Sequence, residues 1–265
     1  MNSVVAEHLL TINHEFYNSF GVQFSATRQR LQPGVKKILD SIQNDVSILD
    51  LGCGNGHFLR ELSRRGHKAP LLGVDYSLPL LRDAREASVP GVLFREVDLT
   101  KLSANSDILT APVAVLGGGD AALSEISGGW DVITMFATLH HIPSTEMRLD
   151  ILRTVRELLK EDGKFILSNW QFLNSEKLRS RIQSWDKVGI NENDLDEGDY
   201  LLDWRSGGEG MRYVHQFSVG ELLGLAEQAE MRVVDSFSSD GDGGNLGLYQ
   251  VWVPITHVLS GGQTN

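Results

Sequence analysis

Residues 50–56 read DLGCGNG, with Gly52, Gly54 and Gly56 at alternate positions between an apolar run and an amphipathic one. Glycines spaced this way let the backbone turn tightly and come close to a ligand, and a helix starting just after them offers free N–H groups. The G-x-G-x-x-G fingerprint of dinucleotide sites needs its third glycine where His57 stands, so the spacing disfavours a nicotinamide or flavin dinucleotide without eliminating it. Two carboxylates follow at comparable places. Asp75 closes the run PLLGVD and is placed to accept hydrogen bonds from two ribose hydroxyls, and Asp98 closes VLFREVD. Either alone would serve as a helix cap or turn former. Together the three features converge on the mouth where open α/β sheets bind ligands. Cys53 suits the glycine loop by its small size rather than as a nucleophile. His140 and His141 are adjacent, with no cysteine or acid at ligand spacing nearby, so they read as structural or lining groups and no metal is expected.

The elements that must position these residues alternate. VSILDL (46–51), PLLGVD (70–75), VLFREVD (92–98), WDVITMF (130–136) and KFILSNW (164–170) have the composition of buried strands. Between them, HFLRELSRRG predicts a helix capped by Gly66, SLPLLRDAREA one opened by Ser77, and STEMRLDILRTVRELLKEDG one stopped by Gly163. After SVGELLGLAEQAE, a further helix, MRVVDSFS and LGLYQVWV form two strands with no helix between them. The expected fold is α/β: a Rossmann-like, seven-stranded, mostly parallel sheet with a C-terminal antiparallel hairpin and helices on both faces. A helical cap is expected over 1–43, the main domain over 44–256 with insertions at 101–129 and 170–217, and a flexible tail over 257–265.

Composition narrows the function. The chain of 265 residues carries 24 Lys and Arg against 35 Asp and Glu, a net charge of −11, and a single cysteine. That excludes a disulfide framework and suits a reducing compartment. The first twenty residues hold Glu7, His8, Asn13 and Glu15 where a signal peptide needs an unbroken apolar stretch, and no run approaches a membrane span, so a soluble, cytoplasmic protein is expected. The acidity argues against indiscriminate nucleic-acid binding, which depends on phosphate neutralisation by Lys and Arg. Much of it is local, however, crowded into ENDLDEGD at 192–199.

DLGCGNG, the GVD of 73–75, the VDL of 97–99 and the terminal hairpin resemble the class I S-adenosylmethionine-dependent methyltransferases. The resemblance implies S-adenosylmethionine as cofactor. It assigns the methionine part to the loop of Asp50, Gly52, Cys53, Gly54 and Asn55, the ribose to Asp75 beside Tyr76, and the adenine to Asp98 with Leu99, with Phe136 and Arg28 completing the set. The flanks are similar to those of the tRNA wobble-uridine carboxymethyl methyltransferases: FSATRQRLQP at 24–33, the HHIPSTEMR segment after the fourth strand, and DWR (203–205) with RYVHQFSVGEL (212–222). This implies tRNA as substrate, and a small activating subunit, which some members need. The 101–129 insertion is longer than the family's segment, and Gln29 and Gln32 replace aromatic positions.

A carboxylate acceptor is ionised at pH 7 and needs alignment rather than a general base. Arginine holds such a group with a bidentate fork. Arg28, Arg30, Arg205 and Arg212 lie in the segments expected to cover the mouth; Arg28 is assigned to the cofactor's own carboxylate, and Arg205 or Arg212 to the acceptor. Trp204 and Tyr213 are candidates for stacking an extruded base or for plain packing, and His215 for touching the acceptor or for a buried structural role. The alternatives are a methyltransferase for small carboxylic acids and a catalytically silent cofactor-binding partner. A single basic surface made of Lys36, Lys37, Arg60, Arg64, Arg65 and Lys68 would favour RNA. The 101–129 insertion is expected to lie away from the methyl group.

Overall fold

The parallel strands form where apolar runs can be covered on both faces. In the computed structural model, which describes residues 1–27, 30–87, 89–105, 107, 109, 128–206 and 208–256, these are β1 (Ile48–Leu51), β2 (Leu71–Asp75), β3 (Val92–Glu96), β4 (Trp130–Phe136) and β5 (Leu159–Trp170). Then come three short antiparallel strands, β6 (Ile182–Gln183), β7 (Asp199–Trp204) and β8 (Gly210–His215), in a sheet of their own. The chain closes on β9 (Met231–Ser239) and β10 (Gly247–Pro254). The main sheet has the order β3-β2-β1-β4-β5-β10-β9, with β10 antiparallel to both neighbours. This is the expected seven-stranded sheet with its terminal hairpin.

The helices are α1 (Ser3–Thr27), α2 (Pro33–Ser41), α3 (His57–Arg64), α4 (Leu78–Glu86), α5 (Thr145–Leu158), α6 (Glu176–Arg179) and α7 (Val219–Gln228). Alternation along the strands divides the core. Leu49 and Leu51 join Ile133, Leu152, Phe165 and Trp252 in the layer beneath α5 and α7, whereas Ile48 joins Val35, Ile38 and Leu59 beneath α2 and α3. Ser144 and Ser218 cap α5 and α7 by accepting from Met147 N (3.2 Å) and Glu221 N (3.1 Å).

Three features differ from the sequence reading. Helix α5 ends at Leu158, ahead of Gly163, because Leu159 already pairs with Trp130 and the register then shifts before Val132 meets Lys164. Gly163 serves this bulge, since a Cβ there would lie 2.9 Å from the Lys160 carbonyl oxygen. The 170–217 segment, for which the sequence assigns no elements, carries a small three-stranded sheet. The stretch 24–27 is the last turn of α1, which packs against β8 and α4 instead of forming a break between two helices. Residues 110–127 of the insertion and the 257–265 tail lie outside the described residues.

Candidate active site

Each strand-end feature sits at the carboxyl edge of the main sheet, as the order reversal between β1 and β4 requires. Gly52 N and Cys53 N both donate to Val74 O, at 2.8 and 2.9 Å, folding the loop over β2. Gly54 has φ +54°, and a Cβ built on it would have no neighbour nearer than Leu80 Cδ1 at 4.0 Å, so a side chain there would project into open cavity. The cradle fits a ligand brought against bare backbone. Asp75 accepts from Gly54 N (2.9 Å) through Oδ2 and from Ser77 N (2.8 Å) through Oδ1, and burial pushes its carboxyl up. Its oxygens keep further lone pairs toward the cavity. Asp98 accepts from Thr100 N and Oγ1 at 3.0 and 2.7 Å, so it is a turn cap and a cavity residue at once.

Two connected cavities result. The first, about 210 Å³, is lined by Gly54, Asp75, Tyr76, Asp98 and Leu99 on the sheet side and by Asn13, His14 and Tyr17 of α1 on the other. The second, about 650 Å³, shares Gly52, Cys53, Asn55, Phe136, Ala137 and His141 with it and extends to Asn169, Trp170, Trp204 and Arg212. Asp50 lines the second cavity at the end of β1. Burial pushes its pKa up to about 7, against the hydrogen bond that it accepts from Thr134 Oγ1 at 2.7 Å. Burial also pushes the Cys53 thiol up, which removes it from nucleophilic chemistry.

Helix α1 is fixed over the first cavity by polar contacts. The Asn13 amide donates to His141 O (3.0 Å) and Tyr213 O (3.2 Å) and accepts from Tyr213 N (2.8 Å). His141 Nδ1 lies 3.1 Å from Tyr213 O, and a carbonyl only accepts, so the proton sits on Nδ1. Tyr17 Oη lies 2.8 Å from His141 Nε2.

Of the residues expected at the acceptor, the structure brings only Arg212 and Trp204 to the cavity. Arg212, 6% exposed, has its guanidinium carbon 4.8 Å from the Trp170 ring centre, 5.5 Å from Phe16 and 5.7 Å from Trp204. Tyr213 and His215 lie away from both cavities. There Tyr213 Oη accepts from Arg148 and donates to Asp199, while His215 lies between the buried Asp199 and the part-exposed Glu221. Tyr213 is sent there because side chains alternate along a strand, and Arg212 takes the other face of β8. Arg205, its side chain 62% exposed, pairs with Asp203 at 2.6 Å and lines neither cavity. Arg28 lies outside the described residues. His140 lines the second cavity and accepts from Trp170 N at 3.2 Å.

Three of the six cations whose gathering into one basic surface would favour RNA are engaged elsewhere, which counts against that reading. Arg60 turns inward to Asn55 O, Arg64 and Arg65 pair with Glu61, and Arg65 also pairs with Asp40. Arg30, Lys177 and Arg181, whose side chains have no partner among the described residues, line the second cavity. Sequence reasoning also missed Asn169. It is 1% exposed, it lines the second cavity, and neither amide atom has a partner among the described residues. Buried polar groups are normally satisfied, so an orphaned amide beside a cavity is a candidate ligand contact. The detectable signal was a polar pair, Ser168 and Asn169, closing an apolar strand at the sheet's carboxyl edge.

Residues 24–235 match the family model described as a methyltransferase domain. The chain belongs to that family. It is a class I S-adenosylmethionine-dependent methyltransferase, with a fold similar to that of a Methanosarcina mazei enzyme described as S-adenosylmethionine-dependent (TM-score 0.60, 21% identity, covering 86% of this chain and 99% of that one). Among curated relatives, a protein of Encephalitozoon cuniculi named as a methyltransferase is 28% identical over 224 residues, 84% of this chain and 88% of its own length. The Mus musculus tRNA (carboxymethyluridine(34)-5-O)-methyltransferase ALKBH8 is 26% identical over 188 residues, 67% of this chain. The methyltransferase described here spans 24% of that longer mouse protein. Among its described residues no helix is long and apolar enough to cross a membrane.

Proposed function

We propose that this methyltransferase esterifies the carboxylate of a modified wobble uridine in tRNA. The observation that carries the reading is Arg212, a guanidinium held among three aromatic rings at the inner end of a cavity that opens onto the glycine loop. A guanidinium in that setting orients a carboxylate through two parallel N–H bonds, and the flanking Trp170 and Trp204 offer faces for an unstacked base. The similarity to the mouse tRNA methyltransferase supports the same acceptor class.

The cofactor supplies an electrophilic methyl group on a sulfonium. Asp50, Gly52, Cys53, Gly54 and Asn55 hold its methionine end, Asp75 and Tyr76 its ribose, and Asp98 and Leu99 its adenine, with Phe136 between the two cavities. Arg212 and Asn169 place the acceptor carboxylate and base edge. No residue needs to take a proton, because the acceptor is already an anion at pH 7. Alignment of two bound reactants is worth roughly 7–11 kcal/mol. The test is to incubate undermodified tRNA with enzyme and labelled cofactor and digest it to nucleosides. A labelled methyl ester of a carboxymethyluridine is expected, and absence of label from every nucleoside overturns the reading. The net charge of −11 favours a second reading, a small carboxylic acid as acceptor. Label recovered in a metabolite and absent from RNA would establish it.

A further inference from the structure

Several cations of this acidic chain are engaged by carboxylates. Arg64, Arg65, Arg153, Arg156 and Arg205 each pair with a carboxylate on the surface, and the buried Arg148 pairs with Asp199 and Glu221. Arg30, Lys177 and Arg181 are not so engaged, a condition they share with exposed cations such as Lys36, Lys68 and Arg82, and what sets them apart is their common place. Among the described residues none of the three side chains has a hydrogen-bond or ion-pair partner, yet all three line the same cavity. Arg30 stands on the wall formed by the segment entering α2, and Lys177 and Arg181 stand on the wall formed by α6 and the turn after it. The acids that share the cavity do not neutralise them. Asp50 is buried at the inner end against Thr134, and Asp240 accepts from Gly34 N (2.9 Å) and Tyr249 Oη (2.6 Å). Asp242 alone of the described acids on this lining is exposed without a bonded partner.

Three cations without partners among the described residues, in one cavity with Trp170, Trp204 and the buried Arg212 guanidinium that lies against both rings, suit a chain of phosphodiesters whose base is drawn inward. Single-stranded nucleic acid is held by a positive groove that tracks its backbone and by aromatic faces that stack its bases. A lone small carboxylate would engage Arg212 and leave the outer cations unused. Resting on the acceptor proposed above, we infer that Arg30, Lys177 and Arg181 form the track for the phosphates flanking the inserted nucleotide. The outer half of the second cavity is thus an RNA-backbone site, and the enzyme's affinity for RNA resides in these three groups.

The test uses the full chain and a synthetic anticodon stem–loop RNA lacking the carboxymethyl group, with binding followed by fluorescence anisotropy against salt concentration. Each neutralised phosphate of a single strand contributes about −0.7 to the slope of log K against log salt, so three contacts give a slope of about −2. Each of Arg30→Gln, Lys177→Gln and Arg181→Gln should flatten the slope by about 0.7, and the triple variant should lose nearly all of it. Affinity for S-adenosylhomocysteine, measured on the same samples, should stay unchanged and certifies the fold. An unaltered slope in the triple variant overturns the track, as does failure of the wild type to bind RNA at low salt. RNA binding with the expected slope but no methyl ester formed would keep the track and sink the acceptor assignment. Methyl ester formed with an unchanged KM for tRNA in the triple variant would do the reverse.

Discussion

Asp50 gives the sharpest test of the electrostatics at the glycine loop. It is 3% exposed at the end of β1, and burial pushes its carboxyl up to about 7, whereas an unfolded chain titrates it near 3.9. The folded protein therefore retains a proton that the unfolded chain releases between about pH 4 and pH 7. Stability falls as pH rises across that window, because the unfolded state binds fewer protons there. A tenfold difference in proton affinity between the two states corresponds to about 1.36 kcal/mol, so the cost accumulated above pH 7 is about 4 kcal/mol. Asp50→Asn keeps an acceptor for Thr134 Oγ1 and never ionises. The variant should match the wild type at pH 4 and exceed it by about 4 kcal/mol at pH 8, roughly 8 °C in melting temperature at about 2 °C per kcal/mol. Thermal melts of the two proteins without cofactor, run from pH 4 to pH 8, read this directly. A difference that stays constant with pH would refute the assignment of the raised pKa to Asp50, as would a variant less stable than wild type at pH 8.

Other substitutions separate the parts of the molecule. Arg148 is fully buried and donates to Ile142 O (2.9 Å) and Tyr213 Oη (2.8 Å) beside Asp199 and Glu221, so Arg148→Met should cost about 3–5 kcal/mol in urea unfolding. A loss under about 1 kcal/mol would show the network to be dispensable. Gly54→Ala places a Cβ in the cradle at a positive φ, costing about 1–2 kcal/mol of backbone strain. It should weaken S-adenosylhomocysteine binding at least tenfold by calorimetry, and undiminished affinity would remove the loop from the cofactor site. Asn169→Leu should raise the KM for tRNA about tenfold or more through loss of one or two hydrogen bonds to the base, at unchanged cofactor affinity. An unchanged KM would leave the orphaned amide without a substrate role.

The main sheet was legible because buried parallel strands are continuous apolar runs, each ended here by a turn. DLGCGNG, Asp75 and Asp98 could be placed at its mouth for the same reason, since a strand end is a definite place in an open sheet. The 170–217 sheet was not legible. Strand β6 has two residues, and β7 begins inside the acidic run, so no periodicity stands out. The segment RYVH illustrates the cost of reading a cluster without its geometry. In a strand its members face alternately, which sends Arg212 to the cavity and Tyr213 into the packing around Asp199, where His215 joins it. Arg205 follows β7 and is claimed by Asp203 two residues earlier. The part played by α1 was hidden for a different reason: Asn13 and Tyr17 meet partners more than a hundred residues away.

That last contact bears on how such an enzyme can be recombined. The small sheet and α1 share one apolar cluster, in which Leu9 and Ile12 pack with Trp185, Ile190, Leu201 and Tyr213. The apolar unit they build is therefore discontinuous in sequence, with one piece at the amino terminus and the other between β5 and α7. A chimaera that exchanges residues 170–217 alone would strand Leu9, Ile12 and Asn13 against a foreign surface and disturb the roof of the first cavity. Exchanging both pieces together would keep that cluster whole above an unchanged glycine loop.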